Sequence, residues 1–293
     1  MTQSGFVEVP GGRLYWEANG SGHPLLLIHG NLGNLRMWDS HVDSFAESYR
    51  VIRYDRRGFG RSETEQVAFS DRADALAVLA QGLPGAASCH VIGQSMGGTI
   101  ALDLAIEAPK AVDSLTLVNG GASGLEAELP DDVLPPPFEE MGSLWESKAW
   151  IPLADLETRV WVDGWGQPPT RIDPELRRRV HDEILSTYQA ENREGSPQAL
   201  TPLAASRLNE VRAPTLVLIG TLDEPGGVIN GRHVADVVGG ARLVEFTDAA
   251  HMPHLEEPER FVRVTMEFLA GVDAGRRPDS YQSAVRSASG LTR

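Results

Sequence analysis

Short apolar runs that end in turn residues alternate along this chain with longer stretches of helical character. That alternation limits the fold more than any other feature. The runs are residues 25–28, 51–54, 90–92, 115–118, 215–219 and 243–246. The helical stretches are 37–48, 70–81, 96–107, 229–238 and 258–270. Strand–helix–strand repeats build parallel sheets, because parallel neighbours need a long crossover between them. Strands that are apolar throughout fit a sheet covered on both faces. The expectation is an α/β fold with a mostly parallel, doubly wound sheet. Ahead of it, residues 6–9 and 13–18 alternate apolar and polar side chains around Pro10-Gly11-Gly12, which predicts an N-terminal β-hairpin.

The alternation breaks between Ala122 and Ala205. This segment holds Pro135-Pro136-Pro137, a basic run at 177–179, and Trp145, Trp150, Trp161 and Trp165. Its 16 Asp and Glu against 7 Lys and Arg give −9, most of the chain's net charge of −15. Helices are expected over 153–162 and 174–191. A segment placed between one strand–helix repeat and the next reads as an insertion, and a lid over a site is the functional form of one. A spacer subdomain is the plain alternative. The expected organisation is a core of residues 1–121 and 206–271, a helical lid of 122–205, and a tail of 272–293 that frays.

Charge and composition exclude several classes. A balance of −15 disfavours nucleic acid and anionic membrane surfaces as partners. The single cysteine, Cys89, excludes an internal disulfide and a cysteine-rich zinc site. The first residues show no signal-peptide pattern, and no apolar run approaches the ~20 residues of a membrane-spanning helix. The expectation is a cytoplasmic protein acting on a small molecule, with a homodimer compatible.

The chemistry centres on Gly93-Gln94-Ser95-Met96-Gly97. An apolar strand precedes it and a helix follows. That is the context in which a sharp turn presents a nucleophilic serine. A hydroxyl needs a base to take its proton. His251 lies on the loop after the last strand, at a carboxyl end where α/β sheets place their sites; His254, three residues on, competes with it. An orienting carboxylate is expected at Asp223, beyond the strand 215–219, with Glu224 and Asp248 as alternatives. The backbone N–H groups of Asn31 and Met96 are the candidate oxyanion hole. His29 reads as a loop-stabilising histidine.

These segments resemble the α/β-hydrolase superfamily over nearly all of residues 5–270. The resemblance rests on His29-Gly30-Asn31, on the turn from Asp55 to Ser62 (Asp-Arg-Arg-Gly-Phe-Gly-Arg-Ser), on residues 93–97, on Asp223, and on His251 to Pro258. Within the superfamily the chain is similar to non-haem haloperoxidases and perhydrolases, small esterases and enol-lactonases. The resemblance implies Ser95 as nucleophile, His251 as base, Asp223 as orienting acid and a mainly structural turn at 55–62. It implies a serine hydrolase of carboxylic esters or lactones. Carbon–carbon cleavage of a β-diketone-type substrate, perhydrolysis, or a ligand receptor on a hydrolase fold are the alternatives. A serine at the nucleophile position argues against haloalkane dehalogenases and epoxide hydrolases. No cofactor and no metal are expected. Trp145, Trp150, Trp161 and Phe138 are expected to line an apolar cleft for a neutral substrate; an arginine such as Arg56, Arg159 or Arg171 is the feature that would reverse this.

Overall fold

The computed structural model describes residues 2–125, 128–131, 133–190 and 195–275. Strands β1 (Gln3–Val9) and β2 (Gly12–Asn19) form the hairpin. There follow β3 (His23–Ile28), α1 (Asp39–Ala46), β4 (Tyr49–Tyr54), the two-residue strands β5 (Glu63–Thr64) and β6 (Ala68–Phe69), and α2 (Asp71–Gly82). Next come β7 (Cys89–Gln94), α3 (Met96–Glu107) and β8 (Val112–Val118). The inserted segment contributes α4 (Phe138–Glu146), α5 (Trp150–Glu157), α6 (Pro174–Gln189) and β9 (Ser196–Pro197). The core resumes with β10 (Thr215–Gly220), α7 (Pro225–Val237), β11 (Arg242–Phe246), α8 (Pro253–Glu256) and α9 (Pro258–Asp273).

The main sheet runs β1-β2-β4-β3-β7-β8-β10-β11. Only the β1–β2, β2–β4 and β2–β5 pairings are antiparallel; from β4 to β11 every neighbour is parallel. Alternate residues of each strand feed opposite faces. Leu25 and Leu27 join Trp38, Phe45, Phe261 and Phe268, under α1 and α9. Leu26 and Ile28 join Val78, Ile100, Leu104 and Val234, under α2, α3 and α7. Each fully buried leucine contributes roughly 1.5–3 kcal/mol, so both faces hold the sheet between two helical layers. The carboxyl ends of β3, β7, β10 and β11 consequently open on one edge.

Several boundaries differ from expectation. The helix over 37–48 divides into a single 3-10 turn at Leu35–Trp38, capped by the Asn34 side chain, followed by α1. Helix α7 starts at Pro225 rather than 229. Its first position is Pro225 and the Glu224 carboxylate accepts from the Gly226 N–H, so capping overrides two glycines of poor helix propensity. The helix over 153–162 is α5 followed by a π-helical turn, Thr158–Val162. Helix α6 ends at Gln189, and position 191 of its expected span lies outside the described residues. Helix α9 extends to Asp273, whose carboxylate accepts from the Tyr49 hydroxyl at 2.8 Å. Most of the expected tail, 276–293, lies outside the described residues.

Helices α4 to α6 share an apolar cluster of their own, built on Leu153, Val160, Val162, Val180 and Ile184. Leu32, after β3, and Met252, after β11, complete that cluster. The insertion is thus seated on the same edge where the strands open. No described helix is long and apolar enough to cross a membrane.

Candidate active site

Ser95 joins β7 to α3 with φ 53° and ψ −122°, a conformation that side chains rarely adopt. Strain of this kind costs ~1–3 kcal/mol and persists only when the surroundings enforce it. Here they do. A Cβ on Gly93 would lie 2.2 Å from the Gly97 carbonyl oxygen, and one on Gly97 would lie 2.2 Å from the Ile28 carbonyl oxygen. These partners are backbone and cannot step aside. Gly97→Ala is therefore expected to cost ~3 kcal/mol or more, at the upper end of overpacking penalties. Urea unfolding checks this, and a variant as stable as the parent would contradict the packing. A Cβ on Gly30 would come within 2.9 Å of the Ser95 Cβ, so the loop after β3 presses directly on the elbow.

His251 and Asp223 meet across the ends of β11 and β10. His251 Nδ1 donates to Asp223 Oδ2 at 2.7 Å, with both residues buried. Asp223 is itself held from two sides: Asn119 Nδ2 donates to Oδ2 at 2.6 Å and the Glu224 N–H donates to Oδ1 at 2.8 Å. Burial alone would lower the His251 pKa. The Asp223 charge and hydrogen bond, with Glu224 and Glu256 nearby, outweigh it and hold the imidazole above its ordinary value. His251 is tied to the elbow by its own carbonyl, which accepts from Gln94 Nε2 at 3.2 Å.

The competitors lie elsewhere. His254 is fully buried against Trp38 and Phe261, and neither of its ring nitrogens has a hydrogen-bond partner among the described residues. Burial and the neighbouring His41 hold its pKa well below the usual range. The Glu224 carboxylate caps α7. Asp248 is exposed, and its carbonyl accepts from Arg171.

Asn31 and Met96 both border a cavity of about 520 Å³ beside the elbow. His29 is a loop-stabilising group: its Nε2 accepts from the Arg56 N–H at 2.9 Å and its ring packs edge-on against Phe59. Of the aromatics in the inserted segment, Trp161 comes to the site. Its ring lies 4.8 Å from that of His251, and its carbonyl accepts from the His251 N–H at 3.3 Å. Phe138 packs on Trp161 at 6.2 Å. Trp145 and Trp150 pack instead edge-on against each other, and both contact Tyr188. Arg171 is engaged by Glu256 and by the carbonyls of Val162, Asp163 and Asp248.

The sequence profile of the alpha/beta hydrolase family matches residues 25–264. The chain belongs to the α/β-hydrolase family. It is 35% identical over 259 residues to a rhodomycin D methylesterase of Streptomyces, covering 78% of this chain and 84% of that one. It is 29% identical over 272 residues to a 2-hydroxy-6-oxononadienedioate/2-hydroxy-6-oxononatrienedioate hydrolase of Burkholderia vietnamiensis, over 88% and 91%. A thermophilic esterase from Thermogutta terrifontis matches in structure with TM-score 0.73 and 25% identity, over 92% of this chain and 99% of its own. The chain is an enzyme of the hydrolase class.

In this α/β-hydrolase the arginine-rich turn is a buried structural unit rather than a solvated loop. Asp55 accepts from the N–H groups of Leu35 and Arg61 at 2.9 and 2.8 Å, and burial pushes its carboxyl up to about 6. Arg57 holds Asp74 with two hydrogen bonds, at 2.6 and 3.0 Å. Two residues of the site were not singled out from the sequence. Asn119, at φ 45°, fastens Asp223 and accepts from the Gly220 N–H at 2.9 Å; Gln94 ties the elbow to the histidine loop. An asparagine directly after an apolar strand is the one local signal for the first, since Asn tolerates the left-handed region. Among the described residues, no group of three or more His, Cys, Asp or Glu is placed to hold a metal ion.

Proposed function

We propose that this hydrolase cleaves a carboxylic ester or lactone through an acyl-enzyme on Ser95. One observation carries the reading: the strained serine is tied through Gln94 to a histidine that Asp223 holds at 2.7 Å. Asp223 fixes the tautomer in which Nδ1 carries the proton, leaving Nε2 free to accept one. Ser95 Oγ attacks the carbonyl carbon as His251 takes its proton. The developing oxyanion is received by the N–H groups of Asn31 and Met96, the latter at the amino end of α3. His251 then protonates the leaving alcohol. Water, deprotonated by the same imidazole, releases the acid. The insertion 122–205 acts as the lid, and Trp161 with Phe138 supplies an apolar wall near His251. The relatives named for methyl-ester and dienedioate hydrolysis support ester cleavage first and carbon–carbon cleavage second.

A fluorophosphonate probe should label the protein at Ser95; a ligand receptor with a silent triad would stay unlabelled. Matched ester, lactone and β-diketone panels then rank the reactions. Highest kcat/KM on the diketone would replace the ester reading. The pH profile offers a separate check. The base must be neutral, so activity falls as pH drops through the His251 pKa. Because that value is raised, the acid limb of kcat/KM should have its midpoint above the ordinary histidine value of about 6.5. A midpoint below it would contradict the Asp223 coupling.

A further inference from the structure

The cavity of about 520 Å³ beside Asn31 and Met96 adjoins the proposed oxyanion position, and charged side chains stand among its apolar walls. Arg56, Arg72, Phe69 and Thr99 line it. Its arginines differ sharply in how their donors are used. Arg57 is spent on Asp74. Arg72 bonds Glu107 at 2.7 Å and the Gln198 carbonyl at 3.0 Å. Arg56 is only 7% exposed, yet one hydrogen bond, from Nη1 to Asn31 Oδ1 at 3.0 Å, is all its guanidinium makes among the described residues. Its Nε is buried without a partner, and the nearest carboxylate oxygen, on Asp71, stands 3.7 Å away. A guanidinium carries five N–H donors, and buried donors are almost always satisfied. Such an arginine at a cavity wall is arranged for an acceptor that arrives with a ligand.

Charge decides what kind of acceptor. Arg56, Arg57 and Arg72 already face Asp71, Asp74 and Asp103. With Glu107 also on Arg72, these three arginines already face four carboxylates, so a further carboxylate would add an unmatched negative charge, whereas an uncharged oxygen would meet the open N–H groups without one. Position decides which part of the substrate arrives. Neither His251 nor Trp161 lines the cavity. The leaving group takes its proton from His251, so the part that enters here is the acyl part.

We propose that Arg56 is a specificity-determining residue whose guanidinium hydrogen-bonds an uncharged acceptor oxygen, a ketone, amide or hydroxyl, on the acyl chain of the substrate. The inference rests on the ester-hydrolase reading and names the substrate class for the same site. Its contact with Asn31 also couples that recognition to the loop that receives the oxyanion.

The test uses p-nitrophenyl octanoate, analogues with one methylene beyond the fourth carbon replaced by a ketone, and the ω-carboxylate analogue. The parent should prefer the best ketone over octanoate by about tenfold in kcat/KM, mainly through KM, since a buried donor left unpaired penalises the plain chain. Arg56→Met should reduce that preference to about twofold or less, and Arg56→Lys should keep part of it. The same ratio is then read as equilibrium binding to Ser95→Ala, with and without Arg56→Met, by calorimetry. That arm needs no turnover, so a parent inert on every ester would defeat the ester reading while binding still judges Arg56. A ratio unchanged by Arg56→Met overturns the proposal, as does an equal loss for all esters, which would mark Arg56 as purely structural. Preference for the ω-carboxylate over every ketone overturns the neutral-acceptor assignment. If Arg56→Met does not fold, the Arg56→Lys ratio decides: one equal to the parent's overturns the proposal.

Discussion

Ser95→Ala is expected to remove ester hydrolysis by roughly 10⁴-fold or more while leaving the melting temperature within about 2 °C of the parent. Removing the nucleophile of a triad leaves only the catalysis supplied by binding and the oxyanion hole. Stability should not follow activity. The Ser95 side chain makes no capping hydrogen bond to α3, so alanine forfeits nothing there. Alanine also inherits the same backbone strain at φ 53°, because both residues carry a Cβ. Glycine does not, so Ser95→Gly should be at least as stable as the parent and equally inactive. Turnover of p-nitrophenyl acetate and thermal unfolding read the two properties separately. Parental turnover from a normally folded Ser95→Ala protein would move the nucleophile elsewhere.

The parallel core was legible because its strands are apolar on both faces and bounded by turn residues. Residues 25–28 or 215–219 have no other reading at that length. Strands β5, β6 and β9 were not legible, since two residues define no periodicity. Helix α4 follows three prolines and leaves most of its surface exposed, with Met141 its one buried residue, so no apolar stripe announced it. The placement of Ser95, Asp223 and His251 at the carboxyl ends of strands was readable from position. Asn119 and Gln94 act through side-chain bonds across 104 and 157 residues, which strand register creates and local sequence does not encode. Which tryptophan faces the site was hidden for a different reason. Trp161 lies in the π-helical turn, which breaks the 3.6-residue phase that would otherwise have assigned its face.

The two neighbouring histidines should separate cleanly when each is removed. His251→Ala is expected to lower kcat by at least ~10³-fold with little change in stability, because what it loses is the proton acceptor. His254→Ala should do the reverse. That ring fills a closed space against Trp38, His41 and Phe261, and its nitrogens bond to nothing among the described residues. Truncation leaves a cavity in the core and should cost roughly 2–4 kcal/mol in urea unfolding, with activity per folded molecule held within about tenfold. Asp223→Asn completes the comparison. The carboxylate accepts from three donors, Asn119 Nδ2, the Glu224 N–H and His251 Nδ1. An amide has one oxygen, so its NH₂ must confront either Asn119 or the imidazole. Facing the imidazole, it favours the tautomer with the proton on Nε2, where the base should be empty. Its kcat should therefore fall by roughly 10⁴-fold, and the acid limb of the pH profile should move down as the charge that raised the His251 pKa is lost. A mild effect at 223, or a larger kcat loss at 254 than at 251, would assign the proton transfer to a different pair.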